Sequence, residues 1–271
     1  MTRLLSATVR LFALLLFGLP LAWLFFIALK SQADFTRSPL GLDFQPTLDN
    51  FRRVFSSFPF VRCFLNSVFV SAFSVQLTLA AAAPAAWALA LYSFRSRAAL
   101  TALFLAGLTI PIHVTLLPLL KTTSAVGLSD SLVGLGLVYS AFGLALAVFI
   151  LKEAFAALPD ELLQAARLDG CGEWRAFLLV GLPLARPSLA VAAAYTFVLN
   201  YNEFAFALTL IRSQHLRTLP LGLTDLSGAM GSADVPAVAA AVTLAVVPSF
   251  LLFLFLQKRI VAGLTAGALK G

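Results

Sequence analysis

The residues from Leu158 to Leu189 read LPDELLQAARLDGCGEWRAFLLVGLPLARPSL, a charged island in an otherwise apolar chain. Pro159 suits the first turn of a helix, where its missing N–H costs nothing. Asp160 and Glu161 follow at the end of the helix where the dipole favours negative charge. Gly170 can adopt the left-handed conformation that ends a helix. The pattern therefore predicts a short amphipathic helix that stops at Gly170.

A second amphipathic piece follows this glycine. Trp174, Phe177 and Leu178 have the i, i+3, i+4 spacing of one helix face. Pro183 and Pro187 then end the pattern before the next apolar run. We expect two small helices that meet at a glycine outside the bilayer. From composition alone, a polar loop with one interfacial helix is an alternative interpretation.

The order of residues in this stretch resembles the EAA loop of carbohydrate (maltose-type) ABC-importer permeases. The residues that carry the resemblance are Pro159, Asp160-Glu161, Gln164-Ala165-Ala166, Arg167-Leu168-Asp169-Gly170, Leu182-Pro183-Leu184 and Pro187. The resemblance implies the type I importer permease fold. In that fold the loop forms a cytoplasmic coupling helix, which sits in a groove of an ATPase.

The same resemblance assigns the coupling role to a small set of residues. They are Glu161, Gln164, Ala165, Ala166, Asp169 and Gly170. Gln164 stands where the family has the glutamate that gives the motif its name. A hydrogen bond would therefore replace any salt bridge that the family makes from this position.

Composition places the chain in a membrane, because 61% of its 271 residues are hydrophobic and 11% are charged, against roughly 25% charged in soluble proteins. Its mean hydropathy is +0.96. A spanning helix needs about 20 apolar residues, so we expect an all-α, polytopic, single-domain protein (1–271) of about six transmembrane helices. The predicted spans are 11–29, 64–92, 98–120, 132–151, 188–211 and 235–256, with a coupling loop at 158–187 and a cytoplasmic tail at 257–271.

The net charge of +7 is scattered at the ends of apolar runs. This distribution favours anionic lipid headgroups over nucleic acid as the partner of the basic residues. A modest excess of Lys and Arg falls on the side of the charged island and both termini, which the positive-inside rule makes cytoplasmic. We therefore expect both termini in the cytoplasm. The resemblance implies a multi-pass protein of a bacterial or archaeal cytoplasmic (inner) membrane.

Several polar residues fall inside the predicted spans and are candidates for a substrate pathway. They are Gln76, His113, Asn200, Asn202 and Glu203. A carboxylate within an apolar run is costly unless it faces water or a partner, and Asn202-Glu203-Phe204 resembles a stretch of carbohydrate permeases. The alternatives are that Gln76 packs between helices, that His113 bonds a carbonyl freed by Pro111, and that residues 200–203 form a packing network.

The closing residues 257–271 also resemble those of maltose-type permeases. In such proteins the tail lies against the ATPase pair. The residues to which the resemblance gives this contact are Gly263, Thr265, Gly267 and Lys270. An ordinary frayed tail is the alternative.

The sequence lacks Gly-x-x-x-x-Gly-Lys-Ser/Thr, His-Glu-x-x-His and Gly-x-Ser-x-Gly. We expect no catalytic residue, no metal site and no bound cofactor in this chain. The resemblance implies that ATP and Mg bind two separate ATPase subunits, and that a second permease subunit and an extracytoplasmic sugar-binding protein complete the importer. A self-contained secondary carrier and a membrane-embedded enzyme remain alternatives.

Overall fold

A computed structural model describes residues 2–229 and 234–268, and within these ranges the regular structure is helical with no strand. The helices are α1 (Thr2–Ala28), α2 (Gln32–Arg37), α3 (Asp49–Ser57), α4 (Phe60–Leu91), α5 (Arg97–Thr109), α6 (Ile112–Ala125), α7 (Leu132–Ala156), α8 (Asp160–Leu168), α9 (Glu173–Ala176), α10 (Leu182–Leu184), α11 (Arg186–Tyr201), α12 (Ala205–Leu210), α13 (Leu219–Ala229) and α14 (Val235–Ala268). A π-helical turn, Phe177–Gly181, joins α9 to α10, and a 3₁₀ turn, Gln214–Leu216, precedes α13.

Among the described residues, three helical segments are long and apolar enough to cross a membrane unaided: α4, α7 and Val235–Phe255 of α14. Two bent pairs raise the number to five if each pair is one span. A shorter apolar helix covers Phe12–Ala28. The bent pairs are α5 with α6, and Glu173–Leu184 with α11. Each predicted span thus overlaps one of these segments, and the division into six spans stays a prediction.

The third predicted span, 98–120, is not one kinked helix. Helix α5 ends at Thr109, α6 begins at Ile112, and the two are bent by 103°. Ile110 between them is extended, with φ −73° and ψ 117°, because a residue that precedes proline is disfavoured in the helical region. Pro111 also has no N–H to donate, so it starts the new helix rather than continuing the old one.

The fifth predicted span, 188–211, is also interrupted, since α11 ends at Tyr201 and α12 begins at Ala205. The residues between the predicted spans also contain helices: α2 and α3 lie between the first and second spans, and α13 lies between the fifth and sixth. In α2 the side chain of Ser31 accepts from the Asp34 N–H and so caps the helix.

The chain forms two compact units, and the first comprises residues 1–65 and 218–248. This unit includes Lys30, which is 1% exposed. The Lys30 Nζ donates to the carbonyl oxygens of Ser38, Pro39 and Gly41 at 3.0, 3.0 and 2.6 Å, and it lies 4.8 Å from the centre of the Phe26 ring. These bonds satisfy a buried ammonium group without a carboxylate and fix the residues that follow α1.

The second unit comprises residues 66–217 and 249–271. Its buried core joins α4, α7 and the charged island through Trp87, Phe155, Leu163 and Phe177. The rings of Trp87 and Phe155 meet edge to face at 5.2 Å. A Cβ on Gly181 would lie 2.3 Å from the Trp87 ring, so this glycine lets the π-helical turn approach α4 closely.

Candidate functional site

Residues 158–187, which we call the elbow, begin with helix α8 and its glycine stop. Gly170 has φ +80°, as the sequence predicts. The Cys171 N–H donates to the Ala166 carbonyl at 3.0 Å, and the Gly170 N–H donates to the Arg167 carbonyl at 3.1 Å. These two bonds form a Schellman motif, which satisfies carbonyls that the end of a helix leaves open. The turn after α8 is therefore fixed by its own backbone.

Helix α8 has one buried and one exposed face. Leu163 and Ala166 are buried at 4% and 7% exposure, whereas Leu168 is 89% exposed. The exposed set includes most of the predicted coupling residues, namely Glu161, Gln164, Ala165, Asp169 and Gly170. Ala166, which was also predicted to couple, lies on the buried face and packs against the rest of its unit.

An open cleft runs beside α8. It has a volume of about 370 Å³, and α8 forms one wall while the π-helical turn and α10 form the other. Leu162, Leu179 and Leu184 line it and are each between 44% and 66% exposed. Asp169 lines the same cleft. The elbow thus offers an apolar surface with an acidic edge, a composition typical of protein–protein contacts.

Glu173 connects three parts of the elbow region. The Arg167 side chain donates to both oxygens of Glu173, at 3.0 and 3.3 Å, and the Tyr92 hydroxyl donates to the same carboxylate. The hydrogen bond from Tyr92, followed by that from Arg167, lowers the pKa of Glu173. Tyr92 directly follows α4, so this cluster ties α8 and α9 to the end of that helix.

Sequence reasoning did not assign a role to Glu173 or Tyr92. The opposite charges of Arg167 and Glu173 on the two sides of Gly170 were a signal for part of the cluster. The contact with Tyr92 joins residues 81 positions apart, and no local pattern reports it.

A second candidate site is a cavity of about 350 Å³ inside the second unit. Its lining comes from α5, α6, α7, α11, α12 and the break between α11 and α12, and includes Ile112, Tyr139, Phe142, Tyr195, Asn200 and Glu203. The cavity therefore lies beside the bend between α5 and α6 and beside the break between α11 and α12.

Glu203 occupies the break between α11 and α12. Its carboxylate accepts the N–H groups of Phe206 and Ala207 at 2.8 and 3.2 Å, and the Tyr139 hydroxyl at 2.7 Å. The two backbone donors belong to the first turn of α12, which would otherwise lack acceptors. The carboxylate therefore caps α12 and joins it to α7, as the packing interpretation expects.

The structure brings together only part of the predicted substrate pathway. Asn200 and Glu203 both line the cavity, and the Asn200 amide donates to the Ser74 hydroxyl at 2.8 Å. Asn202 is exposed and donates to the Val198 carbonyl at 2.8 Å. Gln76 and His113 are exposed and do not line the cavity.

The predicted contacts of the tail fall largely outside the described residues. The backbone of Gly263, Thr265 and Gly267 belongs to α14, but their side chains and all of Lys270 lie outside the described part. Their contact with an ATPase stays a prediction. Among the described residues, no group of three or more His, Cys, Asp or Glu side chains is arranged to hold a metal ion.

Comparison with known proteins identifies the class of molecule to which this architecture belongs. Residues 79–265 match the family described as the binding-protein-dependent transport system inner membrane component. The chain belongs to this family. Because that match contains the whole elbow and the cavity, both candidate sites lie within the part of the chain that the family shares. The predicted permease family and its membrane-embedded character are confirmed.

Relatives and solved structures agree with this assignment. The sulfoquinovosyl glycerol transport system permease protein SmoH of Agrobacterium fabrum is 34% identical over 253 residues, which cover 93% of this chain and 88% of that protein. The arabinooligosaccharides transport system permease protein AraQ of Bacillus subtilis is 32% identical over 261 residues, with coverage of 95% and 92%.

The fold is also that of a solved permease. A chain in the crystal structure of a bacterial ABC transporter involved in the import of the acidic polysaccharide alginate has a TM-score of 0.80 and 20% identity, with 95% of each chain covered. At this identity the likeness concerns the fold alone. It confirms the predicted all-α, type I permease fold.

Proposed function

We propose that this chain is one of two channel-forming subunits of an ATP-driven sugar importer. The relatives named above are sugar-transport permeases that match nearly the whole chain, which supports a carbohydrate as the transported solute. The chain itself is non-catalytic, lies in a bacterial or archaeal inner membrane and keeps both termini in the cytoplasm. ATP and Mg bind to a separate pair of ATPase subunits.

The observation that carries this proposal is the elbow. Its exposed face combines Leu168, Asp169 and the three leucines that line the cleft. Leu163 packs the other face of α8 into the core. A surface that is both apolar and held rigidly from behind suits the transmission of force from a docked partner. We infer that an ATPase subunit receives this face, with Gln164 contributing a hydrogen bond.

The mechanism follows from the contacts that the elbow makes with α4 and α7. When the ATPase pair closes on ATP, the docked elbows move with it. Because Leu163 and Phe177 pack with residues of α4 and α7, that motion passes to the apolar helices rather than being lost in a loose loop. The pore then opens to one side of the membrane at a time, and ATP supplies the free energy that a lone permease lacks.

Additional partners complete this scheme. One elbow per chain and a paired ATPase call for a second permease subunit. A solved neighbour is an alginate transporter in complex with a pentasaccharide-bound periplasmic protein, which supports an extracytoplasmic binding protein as the donor of sugar here. Large exposed side chains on α1, such as Phe12 and Phe17, suit contact with membrane lipid.

Reconstitution tests the proposal. The chain is purified with its co-purifying subunits, inserted into liposomes and supplied with an extracytoplasmic sugar-binding protein from the same organism. We expect sugar uptake that needs ATP, the ATPase pair and the binding protein together. Uptake by the lone chain would instead identify a secondary carrier, and chemical conversion of a substrate by the lone chain would identify an enzyme.

A further inference from the structure

The turn between α6 and α7, residues 126–131, carries an inference that rests on the proposed function and deepens it. We propose that Asp130 is a positioning residue for transport: its carboxylate fastens the end of α12 to this turn, so that the last parts of both interrupted spans move together when the pore changes state. Asp130 and its partners Leu210, Arg212 and Ser213 are called the clamp below.

Four hydrogen bonds form the clamp. The Asp130 N–H donates to the Leu210 carbonyl oxygen at 2.9 Å. One carboxylate oxygen of Asp130 accepts the N–H groups of Arg212 and Ser213, each at 2.9 Å, and the other accepts the Ser213 hydroxyl at 2.5 Å. The bonds from Ser213, followed by that from Arg212, lower the pKa of Asp130, so the acceptor is a charged group, which forms the stronger kind of hydrogen bond. Asp130 thus holds residues that lie 82 and 83 positions further along the chain.

The turn presents Asp130 in a fixed conformation. Gly127 has φ +70°, and the Leu128 N–H donates to the Thr123 carbonyl at 2.7 Å, which is the bonding pattern of a Schellman motif. Asp130 has φ +52°, and among the described residues it is the one non-glycine residue with a positive φ. Asp and Asn adopt this conformation more readily than most residues. A backbone held in this way directs the carboxylate at the end of α12.

Helix α12 depends on contacts of this kind because it has six residues, and an isolated helix of that length is not stable. At its first turn the Glu203 carboxylate accepts two backbone N–H groups, and the Tyr139 hydroxyl of α7 donates to the same carboxylate. Beyond its last turn the Asp130 carboxylate also accepts two backbone N–H groups. The helix packs against both α6 and α7. Carboxylates at its two ends therefore fix its position relative to these helices.

The location of the clamp connects it with the change of state of the pore. Helix α6 follows the 103° bend, and α12 follows the break at residues 202–204, so irregular backbone precedes each helix. Such backbone can absorb the φ and ψ changes of a moving segment, and without a tie the two helices would turn independently. Local capping does not account for the contact, because Ser131 already caps α7 and the donors to Asp130 follow a different span.

Paired spin labels test the clamp directly. Val126 at the end of α6 is 63% exposed, and Leu208 on α12 is 57% exposed. Val126→Cys and Leu208→Cys are combined with Cys171→Ser, while Cys63, which is 1% exposed, stays in place. The labelled chain is placed in nanodiscs with its co-purifying subunits, and dipolar broadening, which increases as two labels approach each other, is measured without nucleotide and with ATP plus vanadate. Singly labelled chains give the spectrum without broadening.

Asp130→Gly is the main variant, because it removes the carboxylate while glycine adopts the same positive φ without strain. Asp130→Asn keeps one acceptor oxygen and tolerates that conformation. Ser129→Gly is the matched control, because it adds similar backbone freedom to the turn and leaves the carboxylate in place. Ser213→Pro replaces Asp130→Gly if that variant does not assemble: Ser213 has φ −68°, which suits proline, and the change removes two of the four hydrogen bonds.

We expect equal broadening in both states for the chain with Asp130, for Asp130→Asn and for Ser129→Gly. Asp130→Gly, or Ser213→Pro in its place, should lower the broadening in both states, at least twofold with ATP plus vanadate, and should lower sugar uptake per ATP hydrolysed at least threefold. A difference between the two states in the chain with Asp130 would overturn the proposal, as would native broadening and coupling in Asp130→Gly with only a lower melting temperature. The comparison without nucleotide needs no ATPase, so its result stands apart from the reconstitution assay.

Discussion

Gly170 is the residue on which the shape of the elbow depends most directly. Its φ of +80° costs a residue with a Cβ about 1–2 kcal/mol, and the space around it is open, so the cost comes from the backbone alone. We predict that Gly170→Val lowers sugar uptake per ATP hydrolysed by several-fold. Gly172→Val is the matched control, because Gly172 has φ −65° and any residue can adopt that conformation. Equal coupling in both variants would remove Gly170 from the mechanism.

Glu173 is predicted to hold the elbow against the end of α4. Glu173→Gln removes the charge that Arg167 pairs with and weakens the bond from Tyr92. Since surface ion pairs contribute about 0–1 kcal/mol, we expect faster hydrogen exchange in residues 158–187 without a change in the melting temperature. Glu153→Gln, at the exposed end of α7, should leave this exchange unchanged.

The stability of the contacts around Glu173 depends on pH, and the pKa of Glu173 fixes the direction of this dependence. The folded-state pKa of Glu173 is lowered, so the stabilisation that it provides is fully present above its unfolded-state pKa. It is lost as the pH falls through the lowered value in the folded protein. The protection factors of amides in the elbow, which correct the exchange rate for its intrinsic dependence on pH, should therefore fall in acid for the native chain and stay flat for Glu173→Gln. A parallel fall in both would place the titrating group elsewhere.

The Glu203 carboxylate caps α12 at the break between α11 and α12. Glu203→Leu would leave the N–H groups of Phe206 and Ala207 without their acceptor beside two side chains that are at most 1% exposed. An unmet buried donor costs about 1–3 kcal/mol. We predict a lower melting temperature and reduced yield in the membrane, with Glu203→Gln intermediate because its amide oxygen still accepts. Normal stability of Glu203→Leu would show that the cap is dispensable.

The helices differ in how far local sequence determines them. Helix α8 was predictable because its acidic start and its glycine stop lie within eleven residues of each other. The bend at Pro111 had a visible signal, yet its angle depends on packing that no local pattern contains. The break at Glu203 falls in the polar stretch 200–203, and the apolar residues on both sides of it favoured one continuous span. The Glu203 carboxylate in that break also accepts a hydrogen bond from Tyr139, which lies 64 positions away.

At the scale of the whole molecule, apolar composition and the order of spans predicted the class of fold, because a membrane allows few alternatives for the backbone. The cavity could not be predicted. It arises where two interrupted spans meet, so Asn200 joins Tyr195 and Ile112, while Gln76 and His113, which share the polarity of Asn200, do not. Polarity within a span identified candidates, and three-dimensional packing selected among them.

The central claim is that force reaches the pore through the elbow from an ATPase that this chain does not contain. Leu168, which is 89% exposed on α8, is the position at which that contact can be captured. Leu168→Cys with Cys171→Ser, treated with a short bifunctional cross-linker in native membrane vesicles, should become linked to a nucleotide-hydrolysing subunit and stop sugar uptake. Leu42→Cys, 79% exposed on the opposite predicted side, should not. If Leu168→Cys never captures an ATPase while uptake proceeds, the account is contradicted.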